Sequence, residues 1–329
     1  MKSADNEKYI GDVISSNGSN DANISRRRCL GMGSISQIFT ILNEVSIGYQ
    51  YVEIGLILRE SILLSKMLLS SESWHKLHQY QIEKLDEVDR MFYKKLFNSH
   101  SKTGTEFYYS ETGTIPLKFR LSERRLLYWK HILSVERSEM IYKVYKAQKL
   151  SPVVGDWIHL LEKDKKMYGL GVADETIAAL SKQKFKNLVK KRSKELTIEY
   201  LNTQKRKHKK SEQLEVGDMS ISPYLSDTRF SKNERELLFK LRSKTIQVKD
   251  NFKNAYQNND LLCDLCKLFP CTQSHPMQCP QLNLSLVVDK TLHMVMTPPQ
   301  PVAPVIRDIL CCSEILYFNI NLSMDSINK

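Results

Sequence analysis

Cys263, Cys266, His275 and Cys279 are the residues of this chain whose types and spacing best suit chemistry. Cys263 and Cys266 stand two residues apart, a spacing that closes a tight turn in which backbone amides can face the sulfurs. Eight residues separate Cys266 from His275, and three separate His275 from Cys279. Three thiolates and an imidazole form the soft and borderline tetrahedral set that Zn²⁺ prefers. With all four positions supplied by the protein, one zinc here is expected to be structural rather than catalytic. Cys271 falls inside the first gap, and the spacing leaves open that it replaces Cys279.

A second concentration of chemistry is electrostatic. Between Lys182 and Lys210 stand twelve Lys and Arg against Glu195 and Glu199, a local balance of +10 within a chain of formal charge +12. The twelve are Lys182, Lys184, Lys186, Lys190, Lys191, Arg192, Lys194, Lys205, Arg206, Lys207, Lys209 and Lys210. Phe185, Leu188, Val189, Leu196 and Tyr200 supply an apolar stripe, so the segment reads as a helix that packs on one side and presents cations on the other. Contacts from such a face to phosphates supply affinity without sequence information and weaken steeply with salt. A solvated helix with a basic linker, or an import signal at Lys205 to Lys210, is the plainer reading of the same residues.

Around these two features the chain reads as mainly α. Tyr9 to Ile14 alternates as a short strand, and Ser15 to Asp21 forms a loop after it. An isolated strand leaves its edge groups unpaired, so its partners are expected to be missing or far downstream. From Ile24 on, helical spacing takes over. Ile35, Ile38, Phe39 and Leu42 share one face. Ile54, Ile57, Leu58, Ile62 and Leu69 suggest a helix apolar nearly all round and therefore buried. Leu77, Leu85, Val88, Phe92 and Leu96 make a stripe over about 76–96. Glu83, Asp86, Glu87 and Asp89 fall on the polar side of that helix, where solvation or pairing with Lys84 and Arg90 accounts for them.

Phe107 to Tyr109 suggests a short strand, Ser122 with Arg124 and Arg125 opens a helix, and Ser151-Pro152 ends another. Trp129 and Trp157 have the apolar neighbours of core residues. Leu214 to Asp227 reads as a loop, and Phe230 to Lys244 as an amphipathic helix. Thr297 to Pro304, with its four prolines, fits neither helix nor central strand.

Hydrophobic residues make up 41% of the 329, enough to fold one or two domains, and the pI near 9.2 favours a polyanionic partner. The most apolar run, Ile54 to Leu69, is broken by Arg59, Glu60 and Lys66 and falls short of the ~20 residues of a membrane span. Seven cysteines, four in a metal-like spacing, fit a reducing compartment, nucleus or cytosol, better than a disulfide framework. No phosphate-binding glycine loop, nucleophile elbow or His-Glu-x-x-His pattern occurs, and no paired aspartates suit a two-metal polymerase.

In their order these pieces resemble the part of non-LTR (LINE-type) retrotransposon reverse transcriptases that lies after the polymerase active site. Tyr9-Ile10-Gly11 is similar to the Tyr-Leu-Gly strand after the palm. Leu63-Leu64 through Ser71-Glu72-Ser73-Trp74 resembles the end of the family's thumb helices. Ile115-Pro116-Leu117 with Arg124-Arg125-Leu126 resembles the family's next helical segment. Leu241-Arg242-Ser243, the Cys263/Cys266 pair and Thr272 to Pro280 resemble its C-terminal zinc knuckle, whose second gap is commonly four residues where this chain has three.

The likeness spans roughly residues 8 to 281. It implies an end-of-palm remnant at 1–23, a thumb-like helical bundle at 24–100 and a helical linker with the basic helix at 101–210. A helix with a CCHC zinc knuckle at 211–285 and an irregular tail at 286–329 complete it.

The parent family polymerises DNA on an RNA template, but only eight residues precede Tyr9, where the family's aspartate turn would lie a few dozen residues upstream. The expectation is therefore a truncated, non-catalytic fragment. It would bind RNA or DNA through Lys182, Lys186, Lys190, Lys191, Arg192, Lys194, Lys205, Arg206, Lys207, Lys209 and Lys210, with no small-molecule substrate and no membrane. Part of an active polymerase whose palm lies elsewhere, and a decayed gene product, are the alternatives.

Overall fold

The computed structural model describes residues 6–9, 12–44, 50–207, 211, 214, 216–246, 261–263, 266–272, 275 and 279. The expected tail from about 286 lies outside them. The described chain is mainly helical, with a single two-stranded sheet.

The sheet corrects one expectation. The strand at Tyr9 to Ile14 is a hairpin, β1 (Asn6–Tyr9) against β2 (Asp12–Ser15), antiparallel with Tyr9 opposite Asp12 and Asn6 opposite Ser15. Its partner is thus local, the strand that follows it in the chain. Ser15 Oγ donates to Asn6 Oδ1 at 2.6 Å. The buried Arg27 of α1 (Asp21–Glu44) holds Asp12, and Asn23 accepts from the Val13 amide, so the hairpin is fastened to the first helix.

Ile24, Ile35, Ile38, Phe39 and Leu42 bury one face of α1. At Gly31 an added Cβ would stand 2.9 Å from both Met67 Sδ and Val88 Cγ1, so glycine sets how closely α1 approaches its neighbours. The next helix is not uniform. It runs as α2 (Tyr51–Leu58), a π-helical turn (Arg59–Leu64) and α3 (Ser65–Met67). None of Ile54, Ile57, Leu58, Ile62 and Leu69 is fully buried, and Ile57 is 64% exposed. The buried positions are instead Tyr51, Val52, Gly55, Arg59, Leu63, Leu64 and Met67. A π turn inserts a residue into the helical repeat and rotates every later side chain about the axis. An all-round apolar run therefore gave no warning of which face turns inward.

In α4 (Gln79–Leu96), Leu85, Val88, Phe92 and Leu96 are buried as their spacing suggests. Asp89 is buried with them, paired to Arg59, which corrects its assignment to the solvated face. Phe107 to Tyr109 is also corrected, from strand to the middle of helix α5 (Thr105–Thr112). All three rings are buried. Tyr108 stacks between Tyr93 and Phe239 with centroids 5.2 and 5.4 Å away, and Tyr109 meets Tyr93 edge-on. Gly113 ends α5 at φ +63, where a Cβ would stand 2.5 Å from the Met219 carbonyl oxygen.

A second core forms where α6 (Leu117–Ile132), α7 (Met140–Leu150), α8 (Trp157–Tyr168) and α9 (Asp174–Ala179) meet the first half of α10 (Lys182–Lys207). Trp129 and Trp157 are buried there, and the Trp129 ring meets Phe185 edge-on at 6.1 Å. Arg125 on α6 pairs with Asp164 on α8, which Ser122 also contacts at 2.8 Å.

The two cores share α10. Phe185, Val189 and Leu196 enter the second, while Leu201 enters the first together with Leu214, Leu225 of α11 (Pro223–Ser226) and Phe239 of α12 (Lys232–Arg242). The first core thus continues past residues 100 and 210. A reciprocal cap opens α12: the Ser231 amide donates to Glu234 Oε2 at 2.7 Å, and the Glu234 amide donates to Ser231 Oγ at 3.3 Å.

Candidate metal centre and basic helix face

Residues 261–263 and 266–271 pair with one another around the first two cysteines. The Cys263 amide donates to the Phe269 carbonyl at 2.8 Å, and the Cys271 amide donates to the Leu261 carbonyl at 2.6 Å. These bonds bring Leu262 opposite Pro270 in an antiparallel bridge. Lys267, at φ +52, completes the reversal, and its amide donates to the Cys263 carbonyl at 2.8 Å. His275 is fixed by its own amide, which donates to Thr272 Oγ1 at 3.1 Å.

Cys263, Cys266, His275 and Cys279 gather here, with one ligand atom from each lying within 4.8 Å of all the others. Cys266 Sγ and His275 Nε2 are 3.3 Å apart. Burial pushes the Cys266 thiol up. The backbone amides of Leu268 and Phe269, with the Cys263 and Cys279 thiols, outweigh it and hold the thiol below its ordinary value. A lowered pKa favours the thiolate, the form that binds metal. The four residues can hold one metal ion. Cys271 is buried beside them but is not one of the four whose ligand atoms converge.

The basic segment is a 26-residue helix, about 39 Å long at ~1.5 Å per residue. Phe185, Val189, Ser193, Leu196, Thr197 and Leu201 form its buried side. Leu188, expected in that stripe, is 43% exposed, and Tyr200 is half-buried. Lys182, Lys184, Lys190, Lys191, Lys194, Arg206 and Lys207 are exposed, whereas Lys186, Arg192 and Lys205 are half-buried. Lys209 and Lys210 lie outside the described residues.

Arg192 differs from its neighbours. Its Nη1 donates to both Glu195 Oε2 and Glu199 Oε1 at 3.0 Å, so the only two carboxylates of the segment converge on one arginine. They leave the flanking lysines to solvent. Across the groove, α6 adds Arg120 and Arg124, which line a cleft with Lys190. In the sequence Arg124 marks only the opening of a helix. Its position facing α10 depends on how the two helices pack.

Comparison with known protein families, curated proteins and solved structures gives no match. Among the described residues no helix is long and apolar enough to cross a membrane.

Proposed function

We propose that this chain binds nucleic acid through the phosphate backbone, using the exposed cations of α10, and that a zinc-pinned finger provides a second contact. The observation that carries the reading is the α10 face itself. Seven of its cations are exposed along a 26-residue helix, about as long as one turn of duplex, with the segment's two carboxylates drawn onto Arg192. Phosphates arrayed along a duplex are the polyanion that such a row complements.

Zinc suits the tetrad chemically. Sulfurs about 2.3 Å and a nitrogen about 2.0 Å from a central ion form a tetrahedron whose edges lie well inside the 4.8 Å over which these ligand atoms already gather. Four protein ligands leave no open coordination position, so the ion would brace the fold of residues 261–279 without activating a water. On this reading the chain is the thumb, helical linker and zinc-knuckle part of a non-LTR retrotransposon reverse transcriptase, acting as a binding element without catalysis.

Fluorescence anisotropy with labelled double- and single-stranded RNA and DNA, titrated with salt, tests the proposal. The expected result is affinity that falls linearly on a log–log plot of binding constant against salt, with a slope set by the number of phosphates contacted. Affinity indifferent to salt, or no binding near physiological ionic strength, would overturn it.

A further inference from the structure

The π-helical turn, α6 and α10 enclose a cleft of about 290 Å³ whose lining divides by chemistry. Leu64, Leu68, Leu127 and Val189 supply an aliphatic floor. Two carboxylates stand beside it. Glu60 receives both Arg59 and Arg120 on a single oxygen, Oε1, at 2.9 Å each, leaving Oε2 for another donor. Glu123 is 6% exposed and receives Arg120 on Oε2 at 3.2 Å, while its buried Oε1 has no hydrogen-bond partner among the described residues.

Arg120 gives Nη1 and Nη2 to these two carboxylates, while its buried Nε has no hydrogen-bond partner among the described residues. Two further cations line the cleft: Arg124, which donates to the Leu68 carbonyl at 2.9 Å and forms a solvent-accessible ion pair with Glu72 at 3.5 Å, and the exposed Lys190. The site thus asks for a ligand with a flat apolar body, N–H donors along one edge and an anionic group at one end. An inorganic phosphate does not match, because within the cleft it would meet the Glu60 and Glu123 carboxylates.

We infer that this cleft receives one unpaired nucleotide of a bound strand. Its base would lie on the aliphatic floor, with an exocyclic amino group donating to the Glu60 and Glu123 carboxylates and its phosphate at Arg124 and Lys190. This rests on the nucleic-acid reading above and adds a base-selective subsite to it. The cleft sits at the small end of the ~300–1,000 Å³ range of ligand sites, room for one heterocycle and not for a duplex. Unpaired bases are read along the edges that carry amino and carbonyl groups, and a carboxylate accepts from an amino group but repels a carbonyl oxygen. Adenine, cytosine and guanine, which carry an exocyclic amino group, should therefore enter, and uracil, which offers carbonyl oxygens and a single ring N–H, should not.

Equilibrium dialysis of the full chain against AMP, CMP, UMP and ribose 5-phosphate tests this, beside anisotropy with a duplex of about 20 base pairs. AMP and CMP should bind roughly tenfold more tightly than UMP or ribose 5-phosphate, a ratio within the range of one hydrogen-bonded edge. Leu127→Trp, which fills the cleft, and Arg124→Gln, which strips its rim, should each weaken AMP by about tenfold. Duplex affinity should stay within about twofold, since its contacts lie along the exposed α10 face.

Ribose 5-phosphate binding as well as AMP would overturn the inference, and so would AMP binding unchanged in Arg124→Gln. If Leu127→Trp does not fold by circular dichroism, the base series and Arg124→Gln still decide. Duplex binding with no AMP binding rejects the cleft alone. AMP binding with no duplex binding keeps the cleft and rejects the wider reading.

Discussion

Arg59 and Asp89 form a two-pronged ion pair in which neither side chain has exposed surface: Nε meets Oδ1 at 2.7 Å and Nη2 meets Oδ2 at 2.8 Å. The pair clamps the π-helical turn to α4, and the Arg59 guanidinium also lies 5.1 Å from the centre of the Tyr93 ring. Removing one member leaves the other charged and desolvated. Asp89→Ala should therefore cost about 3–5 kcal/mol in urea denaturation, while the double change Arg59→Met with Asp89→Leu should recover most of the loss. A cost under about 1 kcal/mol for Asp89→Ala would show that water reaches the pair.

Three residues before Asp89, Asp86 has the opposite problem. Burial, reinforced by the Asp89 charge, pushes its carboxyl up to about 7 against an ordinary value of 3.8, although Lys118 and Arg90 pull the other way. Between those two pH values the folded chain holds a proton that the unfolded chain has released. Stability contributed by this group is full below the ordinary value and is lost as pH rises through the folded one. Wild type should lose on the order of 2–4 kcal/mol between about pH 4 and 7 from this source, and Asp86→Asn should flatten that slope. Urea midpoints of both proteins at several pH values measure it; parallel curves would refute the assignment.

Convergence of four ligands, with Cys271 beside them, sets a selective test for the metal. Elemental analysis should find about one zinc per chain, lost in Cys263→Ser and Cys266→Ser and retained in Cys271→Ser. Loss of zinc in Cys271→Ser with retention in Cys279→Ser would move the fourth ligand to Cys271.

On α10 the cations should not be equivalent. Lys191→Gln and Lys194→Gln should each lower nucleic-acid affinity uniformly across sequences and reduce the salt slope by about 1. Arg192→Gln should do less, because its guanidinium is already shared by Glu195 and Glu199. An arginine effect larger than either lysine effect would mean that the carboxylates yield to phosphate.

Features that depend on near neighbours in the chain were legible in the sequence. Ligand spacing singled out Cys263, Cys266, His275 and Cys279 because a tight turn and a short loop bring such residues together locally. Helical periodicity exposed the core stripe of α4 and the two-sided character of α10 for the same reason. The spacing did not choose between Cys271 and Cys279, since both are within reach; in the structure the Cys279 ligand atom lies with the other three, and Cys271 is buried beside them.

Tertiary packing decided the rest. The rings of Phe107, Tyr108 and Tyr109 suit a strand by propensity, but Tyr93 and Phe97 at the end of α4, with Phe239 of α12, surround a helix there. Arg59 looked like an interruption in an apolar run until Asp89, 30 residues on, supplied its counter-charge. The cleft joins residues from 60 to 190. Periodicity tells which side chains share a face, but only the partner across the interface determines whether a charge there is buried, paired or left for a ligand.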